Sequence, residues 1–356
     1  MIHLSYLKDY LYYAVSAYTS WRINRRTGDI HDILYIRLDH LGDAVLSLPV
    51  LESLRLAYPE SNIDVLVSPD TRDVYSDIPF VRQCFISPGN RYYPGQPNKG
   101  LYCQLRAHGY SLIADLRGDW QTLKLAKNNK TVRRIDDGGQ RLHYIWRHKV
   151  KGKPRDYHEL DFNIVLLKLF GIPVQEREIK LHFDDTKIRD STRELAENRY
   201  VVIHPFAGWQ YREWERGSFQ KVIDLIEAKG LSVIVTGKPA AGNDESPVVF
   251  SGKRLKYLEN IPLRDLYYVI QHAQLYIGND SGPIHLAACT DTPIIGLYGP
   301  NTPAWFGPVS DKAITHYARV GCSPCDQRKC IKGKAACMEA ITLDEVINSI
   351  NQVLAE

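Results

Sequence analysis

The sequence predicts an α/β protein of two Rossmann-like domains, each built on a parallel β-sheet. Short runs of branched apolar residues alternate along the chain with stretches whose apolar residues recur at helical spacing. This alternation is interrupted by a charged, irregular stretch at about residues 173–199 and then begins again. Strands that alternate with helices form parallel sheets with helices on both faces, so two such series predict two domains facing a central cleft.

Length, charge and hydropathy agree with this class. The 356 residues are 44% hydrophobic, which is enough apolar material for two cores. Lys and Arg number 45 and Asp and Glu 41, so the net charge of +4 gives no argument for nucleic acid as a partner. The sequence predicts neither a membrane-spanning helix nor a secretory signal. We therefore expect a cytoplasmic protein with reduced cysteines.

The first series of elements begins with strand Ile33–Leu38, which ends in the polar sequence DHLGD. A helical stretch follows and reaches Ala57, and Pro49 either kinks it or marks a first turn. We place the first domain at residues 29–185 and a helical extension at residues 1–28. Further short apolar runs, each closed by Pro, Gly or Asp, predict strands at Ile63–Val67, Cys84–Ile86 and Leu112–Asp115.

The second series occupies residues 186–356 and begins with strand Tyr200–His204. A helix with apolar residues three or four positions apart follows it and stops at Gly230. Thr342 and, three residues later, Glu345 form a capping-box signature that opens the last helix. Strands are also predicted at Ser232–Thr236, Leu275–Ile277 and Ile294–Leu297.

The stretch YIGNDSGPIHLAA, residues 276–288, places an acid, a hydroxyl and a glycine between a strand and a helix. Ligands of parallel sheets bind beyond the carboxyl ends of strands, where helix N-termini attract anions. Ser281 and Gly282 therefore predict a phosphate site, and Asp280 suits sugar or ribose hydroxyls. The alternative is that Asp280 or Ser281 only caps the helix and His285 packs in the core.

Polar loops that carry glycine follow four other predicted strands. An arginine in the loop after Tyr200–His204 can hold a diphosphate through its charged fork, although a solvated surface arginine is the alternative. Together these loops predict a large cleft for a nucleotide-bearing ligand and a second substrate. In the second domain the candidate residues are Gly208, Arg212 and Gly237, and in the first domain they are Gly42, Asp43, Arg117 and Asp119.

Five segments carry a resemblance to a known family. They are, in order, ILYIRLDHLGDAVLSLPVLESLR, DLRGDW, HPFAGW with REW, GNDSGPIHLAA with TPIIGLYGP, and CSPCDQRKCIKGKAACMEAITLDEV. Over about residues 31–354 they resemble glycosyltransferase family 9, the family of the bacterial lipopolysaccharide heptosyltransferases. The cysteine-bearing segment resembles the heptosyltransferase II branch and the enzymes that add heptose to autotransporter proteins.

The resemblance implies the two-domain GT-B fold, inversion at the anomeric carbon, no catalytic metal or other cofactor, and usually an ADP-heptose donor. Its Leu-Gly-Asp motif implies that Asp43 is the base that takes the acceptor's proton; helix capping is the alternative. Arg212 and the helix start at Ser281 would meet the leaving diphosphate, and His285 would support the phosphate loop. The family usually has lysine at Arg212 and often threonine at Ser281, departures that keep the chemistry.

Four cysteines are spaced C-x2-C-x4-C-x6-C, which fits one tetrahedral thiolate site for a structural zinc or iron. The alternative is a set of buried, reduced thiols. The cysteines are Cys322, Cys325, Cys330 and Cys337.

The extension at residues 1–28 is rich in tyrosine and ends in Trp21 followed by Arg22, Arg25 and Arg26. Such a helix can lie peripherally in a membrane interface, which suits a lipid-linked acceptor. Docking on the protein itself or on a sister subunit is the alternative, and we favour docking because tyrosines also pack well against protein.

The predicted function is transfer of heptose from a nucleotide-heptose donor to a hydroxyl of a lipopolysaccharide core, another glycan or a protein. One alternative is a family member that uses a different nucleotide sugar. Another is a catalytically silent nucleotide-sugar-binding subunit, against which Asp43 argues because a binder needs no base. An NAD-dependent enzyme is disfavoured, because DHLGD stands where G-x-G-x-x-G would follow the first strand.

Overall fold

The computed structural model describes residues 29–87, 99–116, 122, 125, 133–136, 157–169, 172–174, 178–238, 249–325, 330–332 and 335–355. The chain divides into two compact units, Met1–Phe183 and Asp184–Glu356. In its described part, each unit contains one parallel sheet with helices between the strands. The extension at residues 1–28 lies outside the described residues.

The described strands of the N-terminal unit form a five-stranded sheet in the order β3-β2-β1-β4-β5, and every pairing is parallel. The strand order reverses between β1 and β4, so the carboxyl ends of these two strands flank the position where parallel sheets bind ligands. The strands are β1 (Asp32–Arg37), β2 (Asn62–Val67), β3 (Val81–Ile86), β4 (Leu112–Asp115) and β5 (Arg133–Asp136). The helices are α1 (Leu41–Leu46), α2 (Leu48–Ala57), α3 (Arg72–Ser76), α4 (Lys99–His108) and α5 (Glu159–Leu169).

The helical stretch after β1 is divided at Ser47, which separates α1 from α2. Pro49 lies in the first turn of α2, where its missing N–H costs no helical hydrogen bond. Tyr35, fully buried in β1, places its hydroxyl 2.7 Å from Oγ of Ser47. This contact fixes the end of α1 against the sheet, and α1 is the helix that carries Asp43.

The described strands of the C-terminal unit form a six-stranded parallel sheet in the order β11-β10-β9-β6-β7-β8. Here the order reverses between β6 and β9. The strands are β6 (Tyr200–His204), β7 (Ser232–Thr236), β8 (Leu255–Leu258), β9 (Leu275–Asn279), β10 (Ile294–Tyr298) and β11 (Ala313–Tyr317). The helices are α6 (Asp190–Ala196), α7 (Arg216–Ala228), α8 (Leu263–Gln271), α9 (Gly282–Ala287), α10 (Pro303–Phe306), α11 (Ala336–Glu339) and α12 (Leu343–Val353).

The predicted strands are confirmed within a few residues, and so is the capping box of Thr342 and Glu345. Helix α7 ends two residues before Gly230, whose φ of +82° explains the glycine. Strands β5, β8 and β11 and helix α5 are among the elements that were not predicted. Strands β8 and β11 lie at the two edges of the sheet and are at most half-buried, so their sequences lack an apolar run.

Candidate active site

Asp43 is the third residue of α1, immediately beyond the carboxyl end of β1. The N-cap residue of α1 is His40, whose side chain makes no capping hydrogen bond. The carboxylate of Asp43 instead lies 3.4 Å from Nη2 of Arg37, and its side chain is 11% exposed. Because His40 is the N-cap residue of α1, Asp43 is not. Gly42 is buried beside it in the first turn of α1.

Arg37 brings three carboxylates together at the end of β1. Its side chain is fully buried, with Nε 3.4 Å from Oδ2 of Asp39 and Nη2 3.3 Å from Oε1 of Glu159. Glu159 opens α5 and is 122 residues away in sequence. Asp39 is fully buried and the Glu159 side chain is 6% exposed, so Asp43 is the carboxylate of this group most open to a solute.

The sequence analysis missed Arg37 and Glu159 as site residues. Arg37 carried one signal, because it directly follows the run Ile33–Ile36, which has no charged residue, and arginine is seldom buried without a charged partner. The predicted site residues Arg117 and Asp119, which follow β4, lie outside the described residues. Their roles stay predictions.

Arg212 lies in a short 3-10 turn, Gln210–Arg212, in the loop after β6. Its Nη1 lies 3.3 Å from Oδ2 of Asp280 and 3.3 Å from the Asp280 carbonyl oxygen. Its Cζ lies 4.7 Å from the ring centroid of Trp209, a cation–π distance. The side chain is 17% exposed, so Arg212 is not a solvated surface arginine. The structure holds its guanidinium where the strand order reverses.

Asp280, just after β9, pairs with this arginine, and its side chain is 4% exposed. Its Oδ2 also accepts a hydrogen bond from Nδ2 of Asn301 at 3.1 Å. The fully buried Asn279 donates to the carbonyl of Pro205 at 2.7 Å and accepts from the N–H of Trp214 at 3.1 Å. Asn279 thereby ties the end of β9 to the loop that carries Arg212. Sequence reasoning missed both asparagines.

Ser281 is the N-cap residue of α9, and its side chain does not cap the helix. Its hydroxyl donates to the carbonyl oxygen of Asn279 at 3.2 Å. Gly282 is the first helical residue. His285 is buried, as the core-packing alternative expected. Ser281 and Gly282 therefore begin a helix beside the Arg212–Asp280 pair.

The candidate residues Gly208 and Gly237 differ in whether the fold itself requires glycine. Gly237 has a φ of +84°, and a Cβ atom there would lie 2.6 Å from Cε1 of His204, so the fold itself requires glycine. A Cβ at Gly208 would meet no atom within 4 Å. His204 ends β6, and its Nδ1 lies 3.0 Å from Oγ1 of Thr236. Burial lowers the pKa of His204 to about 4, so its imidazole is neutral at neutral pH.

The four clustered cysteines line one pocket together with Tyr211, Pro300 and Ile331. Among the residues that the structure describes, no three His, Cys, Asp or Glu side chains are grouped as metal ligands. Burial raises the pKa of the Cys337 thiol, which favours the protonated form. Tyr211 directly precedes Arg212, so the cysteine segment shares this pocket with the loop that carries the arginine.

Comparison with known proteins identifies the family of the chain. Residues 100–336 match the family model described as glycosyltransferase family 9 (heptosyltransferase). The chain belongs to glycosyltransferase family 9. It is therefore a glycosyltransferase, as its sequence predicted.

Three similar proteins illustrate the family. Lipopolysaccharide heptosyltransferase 3 of Escherichia coli K12 is 27% identical over 307 residues, 78% of this chain and 85% of the relative. The structure of E. coli ADP-heptose lps heptosyltransferase II is 18% identical, with a TM-score of 0.67 over 91% of this chain and 98% of that chain. The iron-containing dodecameric glycosyltransferase TibC of enterotoxigenic E. coli is 17% identical, with a TM-score of 0.60 over 93% of this chain and 77% of that chain.

These likenesses confirm the predicted fold class, because the neighbours are family 9 enzymes of the GT-B fold. Within the described part of the chain, no helix has the length and apolar character needed to cross a membrane.

Proposed function

We propose that this glycosyltransferase moves heptose from ADP-heptose to a hydroxyl of a lipopolysaccharide core, a related glycan or a protein, with inversion at the anomeric carbon. Family membership and the 27% identical E. coli heptosyltransferase support heptose as the sugar. A structural neighbour described as an ADP-heptose enzyme motivates the nucleotide. The observation that carries the proposal is Asp43, a carboxylate beyond β1 that is paired with Arg37 and still 11% exposed.

Asp43 is the proposed general base. As the acceptor oxygen attacks the anomeric carbon, its proton passes to the Asp43 carboxylate and the bond from that carbon to the diphosphate oxygen breaks. Attack from the face opposite the leaving group inverts the anomeric centre. Asp43 meets the first requirement for a base, because it lies at a ligand-binding strand end and has access to solvent.

The second requirement is positive charge for the leaving diphosphate. Arg212 is proposed to supply it, because protein groups, Asp280 and Trp209, hold its guanidinium in place. A group in place beforehand stabilises developing charge without reorganisation. The start of α9 at Ser281 and Gly282 adds backbone N–H donors, and Gly208, Gly237 and His285 shape the surrounding donor site. Asp280 either meets donor hydroxyls, as the sequence predicted, or acts through Arg212.

A direct assay can test the proposal. The purified chain is incubated with ADP-heptose and heptose-deficient lipopolysaccharide core, and free ADP, acceptor mass and the configuration of the new anomeric centre are measured. Matched reactions contain ADP-glucose, UDP-glucose or GDP-mannose. Turnover with ADP-heptose alone, with inversion, is the expected result. Turnover only with another donor would favour a different sugar, and donor binding without turnover would favour the silent subunit.

The cysteine segment and the extension complete the proposal. Four thiols are donors that suit zinc or iron, but their described positions do not converge as metal ligands do, so no chemical step is assigned to a metal. We propose a structural role for any metal held there. The enzyme is proposed to work in the cytoplasm at the inner membrane, where residues 1–28 would touch the membrane or a second copy of the chain.

A further inference from the structure

The geometry points to Arg37 as the positioning residue of the base, with Glu159 of α5 holding its guanidinium from outside the Leu-Gly-Asp motif. This inference rests on the proposed function, since it concerns how Asp43 serves as a base. Arg37 itself contacts no substrate in this scheme. It acts through the Asp43 carboxylate, which lies 3.4 Å from its Nη2.

Arg37 reaches its three carboxylates from three different parts of the chain. It is the last residue of β1, Asp39 is in the loop that follows, Asp43 is on α1 and Glu159 is on α5. All three distances lie between 3.3 and 3.4 Å, and the guanidinium has no exposed surface. Helix α5 also packs against α1, and Nδ2 of Asn163 on α5 lies 3.5 Å from the carbonyl oxygen of Leu46. The guanidinium is thus fixed from several sides.

Stability alone does not explain such a group. Taking a guanidinium and carboxylates out of water is costly, and apolar residues of similar volume often do as well or better in a folding role. Every residue of β1 between Asp32 and Arg37 is apolar or Tyr35, so an apolar residue would continue the strand's pattern. A buried arginine at the ligand-binding end of this strand is therefore better explained by the chemistry of Asp43.

The number of carboxylates suits proton transfer. A guanidinium beside Asp43 favours its ionised form, which is the form that accepts a proton. When the proton arrives, Asp43 becomes neutral and its attraction to Arg37 weakens. Asp39 and Glu159 still hold the guanidinium at that moment, so Arg37 keeps its place through the reaction and is ready for the next cycle.

Substitutions that change the charge around Asp43 in opposite directions test this role. Arg37→Gln removes the positive charge, so the acid limb of the pH–kcat profile should move up by about 1 to 3 pH units. Arg37→Lys keeps the positive charge but loses the planar set of guanidinium N–H donors. It should therefore move the acid limb of the pH–kcat profile less. Glu159→Gln keeps an acceptor oxygen for Arg37 and removes a competing negative charge, so it should move the limb down. A residue that only supports the fold would not give shifts of opposite sign.

A titration that needs no turnover separates this inference from the proposed function. Protein labelled with ¹³C at the aspartate carboxyl carbon gives the Asp43 signal, assigned with Asp43→Asn, and its midpoint is followed from low to neutral pH. The midpoint should rise in Arg37→Lys and Arg37→Gln and fall in Glu159→Gln. Wild-type protein inactive with every nucleotide sugar would overturn the proposed function, while the titration would still decide the role of Arg37.

Arg82→Gln is the matched control. Arg82 also pairs with two carboxylates: its Nη2 lies 2.6 Å from Oδ2 of Asp64, and its Nη1 lies 2.8 Å from Oδ1 of Asp32. It lies near the amino ends of the strands, whereas Asp43 lies beyond their carboxyl ends. Arg82→Gln should change the free energy of unfolding and leave the midpoint of the Asp43 titration unchanged. If Arg37→Gln does not fold, Arg37→Lys and Glu159→Gln carry the test. Midpoints that stay fixed, or that move in the same direction in both, would overturn the inference.

Discussion

Asp43→Asn is the substitution that decides whether this carboxylate is the base. Asparagine has the same size and can still accept a hydrogen bond from Nη2 of Arg37, now 3.4 Å away. The loss of negative charge turns a charged contact into a neutral one, a difference of about 1 kcal/mol. Because Asp39 and Glu159 continue to balance Arg37, no buried charge is left alone. The melting temperature should fall by only about 2–4 °C for a domain of this size.

Turnover should respond much more strongly than stability. Removing a general base typically costs about 100- to 10,000-fold in rate, which corresponds to roughly 2.7–5.5 kcal/mol in the barrier. Binding of ADP should not change, because the diphosphate contacts proposed here come from Arg212 and its neighbours in the C-terminal unit. The assay combines initial rates of ADP release at saturating donor with calorimetric ADP binding and thermal unfolding of the same preparation.

Asp39→Asn provides the matched control for Asp43→Asn. Asp39 lies at the same 3.4 Å from Arg37, and its side chain has no exposure, so the substitution removes an equivalent charge without removing an accessible base. Its turnover should fall by less than about tenfold, or 1.4 kcal/mol. Near-normal turnover of Asp43→Asn would refute the base assignment. Equal losses in the two variants would show that charge balance around Arg37, and not proton transfer to Asp43, limits the rate.

Three further predictions concern the C-terminal unit. Arg212→Ala should weaken ADP binding by about 10- to 150-fold in calorimetry, because a charged hydrogen bond of about 1.5–3 kcal/mol is lost; Arg212→Lys should lose less, and unchanged affinity would remove Arg212 from the site. If the cysteines hold a metal, the protein should carry about one equivalent of zinc or iron by elemental analysis, and Cys325→Ser should lower the melting temperature more than the turnover. Metal-free protein of normal stability would mean packed thiols. His204 has a pKa of about 4 when folded and about 6.5 when unfolded, so the unfolded chain takes up its proton first and the free energy of unfolding should fall by about 3 kcal/mol from pH 6.5 to pH 4. His204→Asn should reduce that slope, and an identical slope in both proteins would contradict a buried neutral imidazole.

The amino-acid sequence was enough to predict the two parallel sheets and the positions of most strands. A strand buried on both faces, such as Tyr200–His204, is a continuous apolar run that stands out locally. The loops beyond such strands follow directly, so Asp43, Arg212 and Asp280 could be placed at strand ends without a structure. The strand Leu255–Leu258 was not predicted, because it lies at the edge of the described sheet, is at most half-buried and carries the charged Lys256 among its four residues.

The pairing of the candidate residues could be seen only in the three-dimensional fold. Arg37 meets Glu159 across 122 residues, and Arg212 meets Asp280 across 68. The spacing of apolar residues predicts which side of a strand or helix is buried. It does not predict which distant side chain contacts a given buried residue. The cost of burying a charge is met by a partner in space and not in sequence. That is why the sequence placed Asp43 and Arg212 at strand ends, while only the fold showed what holds each of them there.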